Sequence, residues 1–425
     1  MHTALKSWLG DLRVCFRREQ TWEYLQAYVL GLLADLRRKS IEPIALAAKV
    51  PVRTMQEFLS FFVWDHDRLD RMLMRRVADR PAPSFAGRCG GIAVIDATAH
   101  AKRGDKTPGV QRQYCGETGK IDNCVVVQHL LYTDDDAKNP FSCVVASDLF
   151  LPESWDADRE RCREAGIPDS LHHRTKWRIA VDQVKAAVAA GVQFSWLVFD
   201  EDYGRIPQFW FELDTLGQRG VGEVSKDFRC WVKRPACATR QKCHASRRVD
   251  NLCRLSPAFT AQEWKPRRVK ETTRGMCVWE YKAVRVHLNA PEAPRGVPIP
   301  TDRKYWLLFL RQDSTGDVKY VMSNASEQAT PEEIMRALFA RWHVEKWFER
   351  AKQDAGLGAF EVRTYTSLIR HWLCSRIVMQ FLSEQTARPA VGDGGEKSAH
   401  HVRAGGRGDE HVCGEVLEQQ LALVR

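Results

Sequence analysis

Two short apolar runs, each closed by an aspartate, constrain this chain more than any other feature. Residues 92–95 end in Asp96 and residues 194–199 end in Asp200. Residues 124–132 and 142–150 read as two further strands. Trp177, Ala180, Val181, Val184 and Ala187 recur at helical spacing and predict a helix over 174–190. A helix over 206–216 and a strand over 221–224 complete the order: three strands, helix, strand, helix, strand. That order suits an α/β fold, a mixed sheet flanked by helices.

The flanks have other textures. In residues 1–80, Trp22, Leu25, Tyr28, Val29, Leu32 and Leu36 repeat at three and four, with Arg37, Arg38 and Lys39 following where cations suit a helix end. Two short helices around Ile44 and Phe58, joined near Val50 and Pro51, resemble a helix-turn-helix with Arg53 and Gln56 early in the second. We therefore expect a helical DNA-binding domain over 1–80, with a linker at 80–84. Residues 226–300 are basic, contain Trp231, Trp264 and Trp279, and read as a β-rich insertion between the core segments 90–225 and 301–385. Pro331 with Glu332 and Glu333 marks a helix start, and a second helix is expected over 367–384. Residues 386–425 lack periodicity and read as a disordered tail.

The 425 residues carry 64 Lys+Arg against 54 Asp+Glu, a net charge of +10, which favours a polyanionic partner, nucleic acid first. No apolar run approaches the roughly 18 residues of a membrane span, and the opening residues read as an amphipathic helix rather than a secretory signal. An odd 13 cysteines, scattered along the chain, suggest free thiols in a reducing cytoplasm. Cys230, Cys237, Cys243, His244 and Cys253 are zinc-ligand types without a Cys-x2-Cys knuckle, so structural zinc is not expected. Trp231, Trp264 and Trp279 read first as packing residues and second as platforms for an unpaired base.

Asp96 and Asp200 each stand at the lip of a strand. If those strands are neighbours the carboxylates converge, and such a pair needs a cation between its charges; hard oxygen ligands suit Mg²⁺ or Mn²⁺. The plain alternative is two turn residues. Arg341, Glu345 and Lys352 are four and seven apart, and at about 100° per residue they share one helix face. Asp122, Asp202 and Glu349 compete as structural or supporting acids.

These residues carry a resemblance. The chain resembles DDE transposases of bacterial insertion sequences, in the branch marked by Tyr-x2-Arg-x3-Glu-x6-Lys: Arg341, Glu345 and Lys352 match, and Leu338 stands at the Tyr position. Further matching blocks are Val94-Ile95-Asp96-x-Thr98 with Lys102-Arg103-Gly104, Arg112-Gln113-Tyr114-x-Gly116-x-x-Gly119-Lys120, Leu151-Pro152-Glu153-x-Trp155, Asp200-x-x-Tyr203-Gly204, and Gly356-Leu357 with Glu361-Val362-Arg363. Ala97 departs, where relatives often carry a second Asp.

The resemblance implies an RNase H-like catalytic core in which Asp96, Asp200 and Glu345 bind two Mg²⁺ or Mn²⁺ ions. One ion would activate the attacking water or 3′-hydroxyl and the other would stabilise the leaving oxygen. It implies a transposase that binds terminal inverted repeats, cleaves double-stranded DNA at transposon ends and transfers strands to target DNA, as a homodimer in the synaptic complex, in the cytoplasm and nucleoid-associated. Lys102, Arg103, Arg112 and Lys120 would grip phosphates, with Arg341 and Lys352 near the reacting strand. The alternative is a catalytically inactive or domesticated DNA-binding descendant. A stand-alone nuclease, cutting without end specificity, is a third reading.

Overall fold

The computed structural model of the chain describes residues 2–81, 90–134, 140–235, 246–272, 275–291 and 299–387. A bundle comes first: α1 (His2–Leu9), α2 (Glu19–Leu33), α3 (Ile41–Ala47), α4 (Val52–Ser60) and α5 (His66–Ala78). The sheet core follows as β1 (Ile92–Ala101), β2 (Gln111–Cys115), β3 (Lys120–Thr133) and β4 (Ser142–Leu149). Next come α6 (Glu153–Asp156), α7 (Arg159–Glu164), α8 (Lys176–Ala189), β5 (Trp196–Phe199), α9 (Glu201–Gly204), α10 (Pro207–Thr215) and β6 (Gly220–Glu223). A two-stranded ribbon of β7 (Arg229–Cys230) and β8 (Arg247–Arg248) precedes α11 (Val249–Leu255) and α12 (Pro257–Thr260). The chain then runs through β9 (Lys265–Thr272), β10 (Gly275–Val286), β11 (Tyr305–Gln312), β12 (Val318–Ser323), α13 (Pro331–Asp354) and α14 (Tyr365–Ala387).

One ten-stranded sheet runs β2-β3-β1-β5-β6-β12-β11-β10-β9, with β4 also on β3. β1, β5 and β6 are parallel neighbours; β3 and β4 are antiparallel to the strands they border. Numbered by the five core strands alone, the spatial order is 3-2-1-4-5. This mixed α/β sheet fits the RNase H-like expectation. The expected insertion does not stand apart from it: β9 and β10 extend the same sheet, because β11 and β12 bridge them to β6 by antiparallel pairing. Its helices α11 and α12 then cover one face with Leu252 and Phe259.

The expected boundary near residue 80 does not divide the core either. A single apolar cluster runs from Leu12, Tyr28 and Phe58 through Trp372 and Phe381 to Val94 and Val198. The reason is α14, buried along nearly its whole length, with the amino-terminal helices on one side and β4 on another. Two of its arginines bond across that seam. Arg370 Nη1 donates to the carbonyls of Phe58 (3.3 Å), Leu59 (3.3 Å) and Phe62 (2.9 Å), placing a cation at the carbonyl end of α4. Arg376 pairs with Asp70 of α5 and donates to Val144 O at 3.2 Å.

The helix-turn-helix expectation corresponds to α3 and α4, with Lys49 in the left-handed region (φ 56°) between them. Arg53 and Gln56 are exposed on α4, and Arg53 is ion-paired with Glu57 at 2.8 Å. Of the expected linker at 80–84, residues 82–84 lie outside the described residues; of the expected tail over 386–425, residues 386 and 387 instead end α14 and the rest lie outside, as do Cys237, Cys243 and His244. Cys230 and Cys253, the latter on α11, are buried in the core. Trp231 and Trp279 are buried, Trp279 against Phe339 of α13 at 5.6 Å between ring centres. Trp264 is half-buried on Phe309 (5.1 Å), with the Arg311 guanidinium 4.4 Å from its ring centre.

Candidate active site

Strand alternation sorts β1 and β5 between two cores. Ala93, Ile95, Leu197 and Phe199 face α8 and α10, whereas Ile92, Val94, Trp196 and Val198 face the α13–α14 side. The next residues in the second series are Asp96 and Asp200. Val94 beside Val198 is the last pair of the parallel register; two residues further on, Asp96 lies within β1 and Asp200 lies just past β5, and strand alternation assigns both to this face. The sequence reading put Asp96 at the lip of its strand; instead β1 continues to Ala101 because its antiparallel pairing with β3 runs on past Asp96, which stands opposite His129.

Each carboxylate is oriented by local backbone. Asp96 Oδ1 accepts from the Ala97 amide at 2.9 Å. Asp200 caps α9, its Oδ1 accepting from the Asp202 amide at 3.0 Å. The cap explains why Asp200 and not Asp202 faces inward: Asp202 is exposed and pairs with Arg205 at 3.6 Å. Asp122 lies on the β2–β3 hairpin, its carboxylate on the Asn123 amide. Behind the pair, Gln128 Nε2 donates to Asp96 O at 3.1 Å, and the Tyr203 hydroxyl donates to Gln128 Oε1. Gly204 admits no side chain, since a Cβ there would fall 1.9 Å from Glu223 O. The Asp-x-x-Tyr-Gly block thus holds β5 against β3 and β6. Thr98, from the first block, links His100 (3.1 Å) and His129 (2.9 Å), and His129 continues to Ser147 at 2.8 Å.

α13 crosses β1, β5 and β6 on the carboxylate face. A capping box starts it: Thr330 Oγ1 accepts from the Glu333 amide (3.2 Å) and Glu333 Oε2 accepts from the Thr330 amide (3.0 Å). Arg341 Nη2 lies 3.9 Å from Asp200 Oδ2. Phe348 packs on His129 at 5.3 Å. Lys352, one end of the signature, lines a pocket of about 350 Å³ with Asp96, Thr98, Phe348 and Gln353. Glu345 falls on the helix between Arg341 and Lys352; its side chain, like that of Glu349, lies outside the described ones. Leu338 is buried, so the position of the signature tyrosine serves packing here.

Burial raises the Asp200 carboxyl above its usual range and Asp202 adds to that; Arg341 and the amides of Asp202 and Tyr203 oppose it. A divalent cation fits carboxylate donors of this kind: hard oxygen ligands, one of them, Asp200, costly to ionise in isolation. Among the described residues no three acidic, His or Cys side chains cluster as a metal cage.

The expected phosphate-gripping residues divide. Arg103, Arg112 and Lys120 are exposed, the last two on the hairpin whose turn residues Gly116 and Glu117 wall the pocket. Lys102 turns inward, its ammonium donating to Gly358 O (3.1 Å) and Phe360 O (2.7 Å) over the Phe360 ring, and burial lowers its pKa to about 8. It pins the segment after α13 to the end of β1. Sequence reasoning missed Glu117, whose carboxylate accepts from the Ala101 amide at 2.7 Å beside the pocket; no spacing rule connects a hairpin turn to a strand end.

The fold is a mixed-sheet α/β core with Asp96 inside β1 and Asp200 just past β5, crossed by α13. A family model described as DDE superfamily endonuclease matches residues 11–277, more than half of the chain, and the chain belongs to that superfamily. The match holds Asp96 and Asp200 and stops before α13. Over 203 residues the chain is 27% identical to the probable transposase for insertion sequence element IS701 of Microchaete diplosiphon, a stretch covering 46% of this chain and 46% of that protein. The chain thus matches just under half the length of that curated relative. No helix among the described residues is long and apolar enough to cross a membrane.

Proposed function

We propose that this chain is a transposase that binds the terminal inverted repeats of an insertion sequence, cleaves DNA there and joins the ends to target DNA. The observation that carries the proposal is that α13, which bears Arg341, Glu345 and Lys352, lies over both aspartates: Arg341 is 3.9 Å from Asp200, and Lys352 lines one pocket with Asp96. Asp96, Asp200 and Glu345 would hold Mg²⁺ or Mn²⁺, two ions per site. When bound, they supply Lewis-acid activation of the attacking oxygen and stabilisation of the leaving one. The protein's own part is positional. The Asp202 amide fixes Asp200, the Gln128–Tyr203 pair fixes the strand carrying Asp96, and Arg341 places a guanidinium where negative charge gathers on a phosphoryl group. Exposed Arg103, Arg112 and Lys120 would track the duplex backbone. Two ends brought together call for two active sites, hence a homodimer on DNA.

The test is cleavage of a labelled duplex carrying the element's terminal repeat and flank, with Mg²⁺, followed by joining to a supercoiled target. Nicking at the boundary with joined products supports the proposal. Cutting at unrelated positions would leave only a nuclease, and end-specific binding without cutting would leave an inactive descendant.

A further inference from the structure

Beside the carboxylate pocket lies a second depression of about 300 Å³, lined by Arg37, Arg38, Lys39, Lys102, Lys352 and, as its only acid, Glu361. The two share Lys352 and Gln353, so one trench leads from Asp96 to the turn between α2 and α3. We propose that this turn clamps the phosphate backbone of the DNA strand next to the bond being cut, with Arg37 and Arg38 as the phosphate-binding residues. The inference rests on the transposase reading and adds a contact surface to it.

The trench wall is built, not incidental. Lys39 is buried, and its ammonium donates to Leu32 O at 2.7 Å, holding the turn against the end of α2. Gly356, just beyond α13, has φ +64° and lies so close that a Cβ would meet Lys39 Cβ at 2.9 Å and Leu32 Cδ2 at 3.0 Å. His371 Nε2 meets Gly356 O at 2.9 Å, and Tyr28 of α2 meets the other ring nitrogen at 2.9 Å. The turn is therefore locked to the carboxyl end of the signature helix. On that fixed base Arg37 and Arg38 are exposed, and among the described residues neither forms an ion pair with a carboxylate. Two adjacent guanidiniums, each able to grip a phosphate with two parallel N–H bonds, suit a polyanion with regularly spaced phosphates. The sequence reading took these cations for a helix end; the fold turns them toward the site.

The experiment compares the full chain with Arg37→Gln/Arg38→Gln and with Arg71→Gln/Arg75→Gln. The second double variant removes the same charge from α5, where Arg71 and Arg75 are exposed. Binding of a labelled duplex bearing the terminal repeat is followed from low to high salt, and phosphate ethylation interference maps the contacts. Loss of two phosphate contacts should flatten the slope of log affinity against log salt by about 1.8. It should also erase interference at the phosphates flanking the cleavage point, while the thermal midpoint stays unchanged and the α5 variant keeps the pattern. An unchanged slope and footprint in Arg37→Gln/Arg38→Gln, or an equal loss in the α5 variant, overturns the clamp. The parent reading is judged separately, by whether the wild type binds and cuts the duplex at all.

Discussion

The two halves of the sheet treat their carboxylates in opposite ways. In the outer half, Glu280 is held by two bonds from Arg311 (3.0 and 2.5 Å); at the border, Glu223 of β6 is held by Lys319 of β12, and nearby Asp214 by Arg303 (3.1 Å) and Asn324 (2.8 Å). In the inner half, Asp200 is pushed up by burial and its guanidinium neighbour stands off at 3.9 Å. These half-buried carboxylates are each met by a cation or an amide, so their charges are compensated in place. The inner carboxylate is the one whose pKa burial raises, and such perturbed groups cluster at functional sites, which is why the proposed chemistry is placed there.

The largest expected effect breaks this comparison directly. Asp96→Ala, Asp200→Ala or Glu345→Ala should lower metal-dependent DNA cleavage by on the order of 10³-fold, whereas Glu280→Ala should change it less than about twofold in the same gel assay. Equal losses would erase the distinction between the halves. Arg341→Met should reduce cleavage by about 10²-fold with DNA affinity nearly kept, because its guanidinium serves the site and not general binding.

Stability separates the regions next. Arg370→Met strips buried carbonyls at the end of α4 of their donor and should cost about 3 kcal/mol in urea unfolding. Because α14 is common to the amino-terminal helices and the sheet, the loss should appear as one shifted transition. Two separate transitions would restore an independent amino-terminal domain.

The smallest effect concerns acid. Burial holds His129 near a pKa of about 3 and His371 near about 4, in both cases below the free imidazole value. Their stabilising contribution is complete above about pH 6.5 and is lost as pH falls toward those values, since the unfolded chain takes up protons that the fold refuses. Each group contributes a slope of at most about 1.4 kcal/mol per pH unit in that window. His129→Asn should flatten the change in urea midpoint between pH 6.5 and 5, and an unaltered slope would count against a neutral His129.

Much of the inner half was legible because its physics is local. The apolar runs ending in Asp96 and Asp200, the helical spacing over α8 and the Pro331 start of α13 all lie within a few residues, and period-two alternation carries both aspartates to one face. What stayed hidden depends on long-range pairing. β9 and β10 alternate like any ribbon, and only the β12–β6 contact joins them to the core sheet. Arg370 and Arg376 on α14 gave no sign that their partners lie roughly three hundred residues earlier. Lys102 looked like a loop cation because charge and position say nothing about the carbonyls of Gly358 and Phe360 that receive it.

The central claim is that Asp96 and Asp200 serve metal-dependent cutting at the ends of an element. The most direct measurement is Mg²⁺-dependent nicking of a labelled end-bearing duplex by the wild-type chain and by Asp200→Asn. Boundary nicking by the wild type, lost in Asp200→Asn while duplex binding persists, is the result this account predicts. Equal nicking by both proteins would contradict it.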